Sequence, residues 1–192
     1  MLAFALLLQS LETLLIVPGA QKIWDLSGPF QAMLWLRLFA SLALFATTSP
    51  VLIWVLLLTT ILTSVRFGGT LNGGSDYMTV VVLSSLLVPW GQTYLAVQLT
   101  LSYFVAGLVK LKHPDWRDGT ALTRLTGMPA QLAWPTLLWQ CTFPLVWLNH
   151  SLCLVYLAIG VVFHLANAKV LGLNRFFWIW MAAYPSLLGI QS

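Results

Sequence analysis

Long apolar blocks, broken by short polar intervals, set the pattern of this chain. They occupy residues 1–17, 30–46, 51–65, 77–90, 93–109, 132–148, 151–166 and 176–188. None shows the strict alternation of a half-buried strand, and several approach the roughly 20 residues that carry a helix across about 30 Å of hydrocarbon. The pattern predicts an all-α, polytopic transmembrane bundle of about eight spans, forming one domain over residues 1–192. The shorter blocks must borrow flanking residues or sit in thinned bilayer. The first block has no basic leader or small-residue cleavage site, so it reads as part of the first span.

The intervals alternate in length. Residues 47–50, 89–92 and 149–150 allow only tight helical hairpins, whereas 19–29, 66–76, 110–131 and 167–175 are longer and polar. Every long connection carries Lys or Arg: Lys22, Arg66, then Lys110, Lys112, Arg117 and Arg124, then Lys169 and Arg175. The short ones and both termini carry none. Eight crossings put all of these charges on one face, and an excess of Lys and Arg marks the cytoplasmic side. The expected localisation is therefore an integral, multi-pass protein of a bacterial inner membrane, with basic loops cytoplasmic and both termini extracytoplasmic. Within the longest connection, residues 119–125 mix apolar and polar character and predict a short interfacial helix anchored by Trp116.

Composition sharpens this reading. Of 192 residues, 59% are hydrophobic and 7% charged, against about a quarter charged in soluble domains. The net charge of +4 implies no nucleic-acid partner. Cys141 and Cys153 both fall in apolar segments without a metal-binding spacing and read as buried thiols. No metal site is expected, because His164 lies within a span while His113 and His150 fall at connection ends on opposite faces.

Polar residues inside apolar blocks are costly and therefore informative. Glu12 and Arg37 lie in neighbouring antiparallel spans and are expected to form an interhelical pair. Helical spacing aligns Tyr103, Ala106, Gly107 and Lys110 on one stripe. Gly107 would admit a close neighbour or ligand, and Lys110 is either a helix-end anchor or an amine base. His164 has Gly160 one turn before it and Asn167 about a turn after it. Asp76 precedes the fourth block as a candidate helix N-cap.

The stretch Tyr103-Phe-Val-Ala-Gly-Leu-Val-Lys-Leu-Lys-His-Pro-Asp-Trp-Arg-Asp-Gly119 resembles the horizontally transferred transmembrane domain family, which includes the membrane domain of the vitamin K-dependent gamma-glutamyl carboxylase. A second block, Phe163-His-Leu-Ala-Asn-Ala-Lys-Val-Leu-Gly-Leu-Asn-Arg-Phe-Phe-Trp-Ile-Trp-Met-Ala-Ala-Tyr-Pro185, looks like the final block of that family. Together they cover about 40 residues. The resemblance places Lys110 on the lysine that acts as base toward vitamin K hydroquinone; in a reduced enzyme of that family, His164 or Tyr103 would assist it. Residues 72–77 carry Gly-Gly where the carboxylase has a functional histidine, and the peptide-handling domain has no counterpart here.

Two functions are therefore expected. The first is a non-catalytic membrane module of carboxylase-like fold, an accessory or structural subunit packed against other transmembrane proteins and lipids. A lipid or quinone at Tyr103, Gly107 and Asn167 is its only candidate ligand, and no certain cofactor is implied. The alternative is a reduced carboxylase-like enzyme that uses Lys110 as base on a quinol or another lipid-phase substrate.

Overall fold

A computed structural model describes residues 1–16, 27–67, 73–172 and 174–190. Lys22 and Asn72 lie outside them. The described residues are helical throughout, joined by turns, and the chain divides into two compact units. The first comprises Met1–Gly91 with Asn174–Ala182, the second Gln92–Leu173 with Ala183–Ser192.

In the first unit, α1 (Leu2–Ile16), α2 (Ser27–Ala43), α3 (Pro50–Arg66) and α4 (Gly73–Ser85) each pack on the next. The start of α3 is written locally. The Ser49 hydroxyl accepts from Val51 N, and Pro50, which has no N–H to leave unsatisfied, takes the first helical position. Leu6, Ala40, Leu44, Ile53, Leu56, Leu57 and Leu83 form its main apolar core. The second unit holds α5 (Gly91–Lys112), the short α6 (Pro114–Arg117) and α7 (Thr120–Thr126), α8 (Ala133–Cys141) and α9 (His150–Leu171). Asn149 caps α9 by accepting from Leu152 N at 2.8 Å, and Gly172 closes it in the left-handed conformation (φ 69°). The chain then returns to the first unit through α10 (Asn174–Ala183) and ends in α11 (Pro185–Leu188).

Among the described residues, α5 and α9, at 22 residues each, are the two helices long and apolar enough to cross a membrane. At 1.5 Å per residue each spans about 33 Å. This corrects the expectation of about eight crossing-length spans, and the breaks have identifiable causes. The block 132–148 is a nine-residue α8 followed by a 3-10 turn, Phe143–Trp147. Pro144 cannot supply an amide proton there, and the Thr142 hydroxyl bonds back to Leu138 O at 2.6 Å. The block 176–188 stops at Tyr184 for the same reason, because Pro185 ends α10. The fourth helix begins at Gly73 rather than near 77 and ends at Ser85. Hydroxyls of Ser84 and Ser85 bond back to Val81 O and Val82 O beside that end. Asp76 therefore sits inside the first turn of α4 instead of capping it.

Polar groups concentrate inside the first unit. Gln9 bridges two charged side chains: its Nε2 donates to Asp76 Oδ1 at 2.8 Å while its Oε1 accepts from Arg37 Nη2 at 2.8 Å and from Thr79 Oγ1 at 3.3 Å. Arg175 extends the network, with Nη1 3.6 Å from Asp76 Oδ1 and Nε 3.4 Å from Glu12 Oε2. The expected Glu12–Arg37 pair is thus replaced. Glu12 meets Arg175 from α10, and Arg37, only 1% exposed, is held by the carboxamide of Gln9. Helical pattern located both charges but could not reveal that a residue 138 positions further along the chain from Arg37 competes for Glu12.

Replacing Gln9 by Leu should cost about 3 kcal/mol, because it strands the buried Arg37 guanidinium and removes the hydrogen bond that Asp76 accepts beside its Arg175 ion pair. In detergent melting experiments, Glu12 and Arg175 should couple by about 0.5 kcal/mol or more in a double-mutant cycle. Glu12 and Arg37 should be additive within about 0.5 kcal/mol. Stronger coupling for the second pair would overturn the assignment.

Candidate functional site

The second unit builds its polar centre on α5. Tyr103, fixed in mid-helix and 2% exposed, hydrogen-bonds through its hydroxyl to His164 Nε2 on α9 and to the Tyr184 hydroxyl at 2.7 Å. The phenol ring stacks on Phe143 with centroids 4.2 Å apart and leans on Trp139 at 4.9 Å. Phe163 closes on Trp139 from α9 at 5.2 Å. A phenol flanked by an imidazole and a second phenol can pass a proton either way along the row, the direction depending on the histidine tautomer.

Two glycines make this arrangement possible. A Cβ on Gly160 would lie 2.1 Å from the Tyr184 hydroxyl, so a bare backbone at that turn of α9 lets the second phenol reach Tyr103. A Cβ on Gly107 would lie 2.8 Å from Cys141 N and 2.9 Å from Gln140 Cβ, so α5 and α8 meet backbone to backbone there. That close approach brings Gln140 within reach of Lys110, whose Nζ donates to Gln140 Oε1 at 2.9 Å. Lys110 also lies 5.3 Å from the centre of the Trp116 ring, in cation–π range. It is half-buried and has no carboxylate within ion-pair distance among the described residues.

Of the residues singled out from sequence, the structure joins Tyr103 to His164 and puts Gly107 and Lys110 against α8. Asn167 stands on α9 beyond His164, half-buried, and makes no side-chain hydrogen bond among the described residues. Gly107 is filled by α8, so the close approach that could admit a ligand is occupied by protein. Glu12 and Arg37 belong to the network of the first unit. No group of three or more His, Cys, Asp or Glu residues among those described could hold a metal ion.

Sequence reasoning missed Tyr184, Gln140 and Trp139. Gln140 was findable, since a carboxamide within an apolar block obeys the same cost argument as Glu12 and Arg37. Tyr184 carried only a weaker signal, its place just before the helix-ending Pro185. Nothing local marked Trp139 among ten tryptophans.

The chain matches no family model, no curated protein and no solved structure. The chemistry of the site accordingly rests on its own geometry.

Gly160→Ala should destabilise the protein by about 1–3 kcal/mol through overpacking, against the usual gain of replacing a helical glycine. Tyr184→Phe removes the nearest clashing atom and should recover most of that loss in the double variant. Melting midpoints in detergent check this, and additive losses would remove the Gly160–Tyr184 contact from the account.

Proposed function

We propose that this chain is a multi-pass integral membrane module, acting as an accessory or structural subunit packed against other transmembrane proteins. One observation carries the reading, namely the inverted distribution of polar and apolar side chains. Leu15, Val51, Leu58, Leu62, Val65, Leu148, Val162 and many other large apolar residues are exposed, while Arg37, Arg66, Arg175, Asp76, Gln140 and His164 are buried. Water would penalise such a surface, whereas hydrocarbon favours it and drives charged groups into mutual contact. In this proposal α5 and α9 cross the bilayer, and the helices of the shorter apolar blocks, α1 and α3 among them, cross with local thinning, which keeps the basic connections on one face. Helices α6 and α7 lie at the interface, where Lys112, Arg117, Arg124 and Leu125 are exposed. The distribution of basic residues supports cytoplasmic loops in a bacterial inner membrane.

The accessory role is supported by the way the interior closes on itself. The hydroxyl of Tyr103 is engaged by His164 and Tyr184, Lys110 bonds Gln140, and Gly107 abuts α8. The resemblance of residues 103–119 and 163–185 to the horizontally transferred transmembrane domain family belongs to the same proposal, as does a lipid or quinone ligand near Tyr103. A second reading, a reduced carboxylase-like enzyme with Lys110 as base on a quinol, draws support from one feature. The partner of Lys110 is a neutral carboxamide, which accepts a hydrogen bond without fixing the amine as a cation through an ion pair.

Isolated membranes washed at alkaline pH should retain the chain, and mild-detergent purification should recover it in a stoichiometric complex with other membrane proteins. Release by the wash would overturn the membrane reading, and a chain that purifies alone would overturn the subunit reading. Lys110→Ala should leave that assembly intact and change its melting midpoint by less than about 1 kcal/mol equivalent, as expected for a half-exposed hydrogen bond. Oxygen uptake with added quinol that vanishes in folded Lys110→Ala and Lys110→Arg proteins would instead establish the enzymatic reading, since a guanidinium cannot take the proton.

A further inference from the structure

Three arginines are buried among the described residues, and two have visible partners. Arg37 donates to Gln9, and Arg175 faces Glu12 and Asp76. Arg66 differs. It is 7% exposed, and among the described residues it forms no ion pair and its buried Nε and Nη2 atoms have no hydrogen-bond acceptor. A buried polar atom without a partner calls for an explanation, and a cationic one most of all.

The identity of the two atoms narrows the explanation. Nε–H and the adjacent Nη2–H lie parallel on one edge of the planar guanidinium and form the fork that grips two oxygens of one oxyanion. The flat face of the group is already used, with Cζ 4.1 Å from the centre of the Phe30 ring, which in turn meets Phe67 edge-on at 5.9 Å. Stacking fixes the plane and leaves the edge as the place for a ligand.

Position supplies the rest. Arg66 is the last residue of α3, a 17-residue apolar helix, and the exposed positions Leu58, Leu62 and Val65 form a stripe along that helix up to it. On the membrane reading, which this inference uses, the end of α3 lies at headgroup depth and the stripe faces acyl chains. We infer that the Arg66 side chain is the anchor of a phosphate-binding site, its Nε/Nη2 fork taking two phosphate oxygens while Leu58, Leu62 and Val65 line the path of an attached acyl chain. The negative end of α3 opposes an anion there, but a helix dipole is weaker than two charge-assisted hydrogen bonds in an apolar setting. Both nitrogens are shielded from water, so a free phosphate ion must displace protein to reach them, whereas a lipid present while the helices pack need not.

The test uses the full chain purified in dodecyl maltoside and phosphate-free buffer, with dioleoyl phosphatidic acid, dioleoylglycerol and inorganic phosphate as separate probes. Phosphatidic acid should raise the melting midpoint of the wild type and be retained in native mass spectra, while dioleoylglycerol, with the same chains and no phosphate, should do neither. Arg66→Gln should weaken the apparent affinity roughly 10- to 100-fold, as the loss of charge-assisted bonds predicts. Arg66→Lys keeps the charge but not the fork, should also lose affinity, and serves as the readout if the Gln variant does not fold. Inorganic phosphate matching phosphatidic acid would support the same site with a free ion as its ligand. A wild type that responds to neither, or variants that respond as the wild type does, would overturn the site. Retention of the wild type in alkaline-washed membranes is scored separately, so a failed phosphate response is distinguishable from a failed membrane reading.

Discussion

Two buried carboxamides, Gln9 and Gln140, hold two cationic side chains of this protein, Arg37 and Lys110, in place. A carboxamide both donates and accepts without carrying charge, so it can join ions that would otherwise face an apolar environment alone. Gln9 uses both functions, giving its N–H to Asp76 and its oxygen to Arg37, and so ties α1 to α2 and α4. Gln140 uses its oxygen to hold Lys110 at the end of α5. The apolar helices around them supply area but little direction. Hydrogen bonds between helices fix which faces meet, because a misplaced register would leave Arg37 or Asp76 buried without a partner.

Close backbone approach is the second requirement, and it decides the form of the candidate site. The site's aromatic groups are large, yet they converge because Gly160 and Gly107 remove side chains where a phenol and a neighbouring helix must pass. Tyr103 then completes a row of three hydrogen-bonding groups, enclosed by Phe143 and Trp139. Such a row, buried and walled by aromatic rings, suits a packing element. The same row also links three titratable side chains by hydrogen bonds, a continuous path for a proton.

Short helices give the fold its third feature. Prolines 144 and 185, together with serine and threonine hydroxyls that bond back to the preceding turn, divide apolar blocks that hydropathy alone joins. Each break frees backbone groups, and 3-10 turns recover some of them, as in Leu145 N to Thr142 O at 2.9 Å and Leu148 N to Leu145 O at 3.0 Å. The breaks also redirect side chains: Tyr184 reaches His164 and Tyr103's hydroxyl because α10 ends beside it.

Read alone, the sequence determined that the chain is helical, that its surface is apolar, and that Tyr103, Gly107 and Lys110 share a stripe. Those properties follow from composition and the 3.6-residue period, which every residue contributes to independently. It also located the short polar intervals 47–50 and 149–150, within which the structure places the caps Ser49 and Asn149. Tertiary structure decided the partners. Glu12 faces Arg175 rather than Arg37, Tyr103 meets Tyr184 as well as His164, and the Arg66 fork finds no acceptor among the described residues. A periodic pattern specifies the face on which a charge lies but not which distant helix arrives there, because that choice depends on summed packing and polar satisfaction across several helices at once.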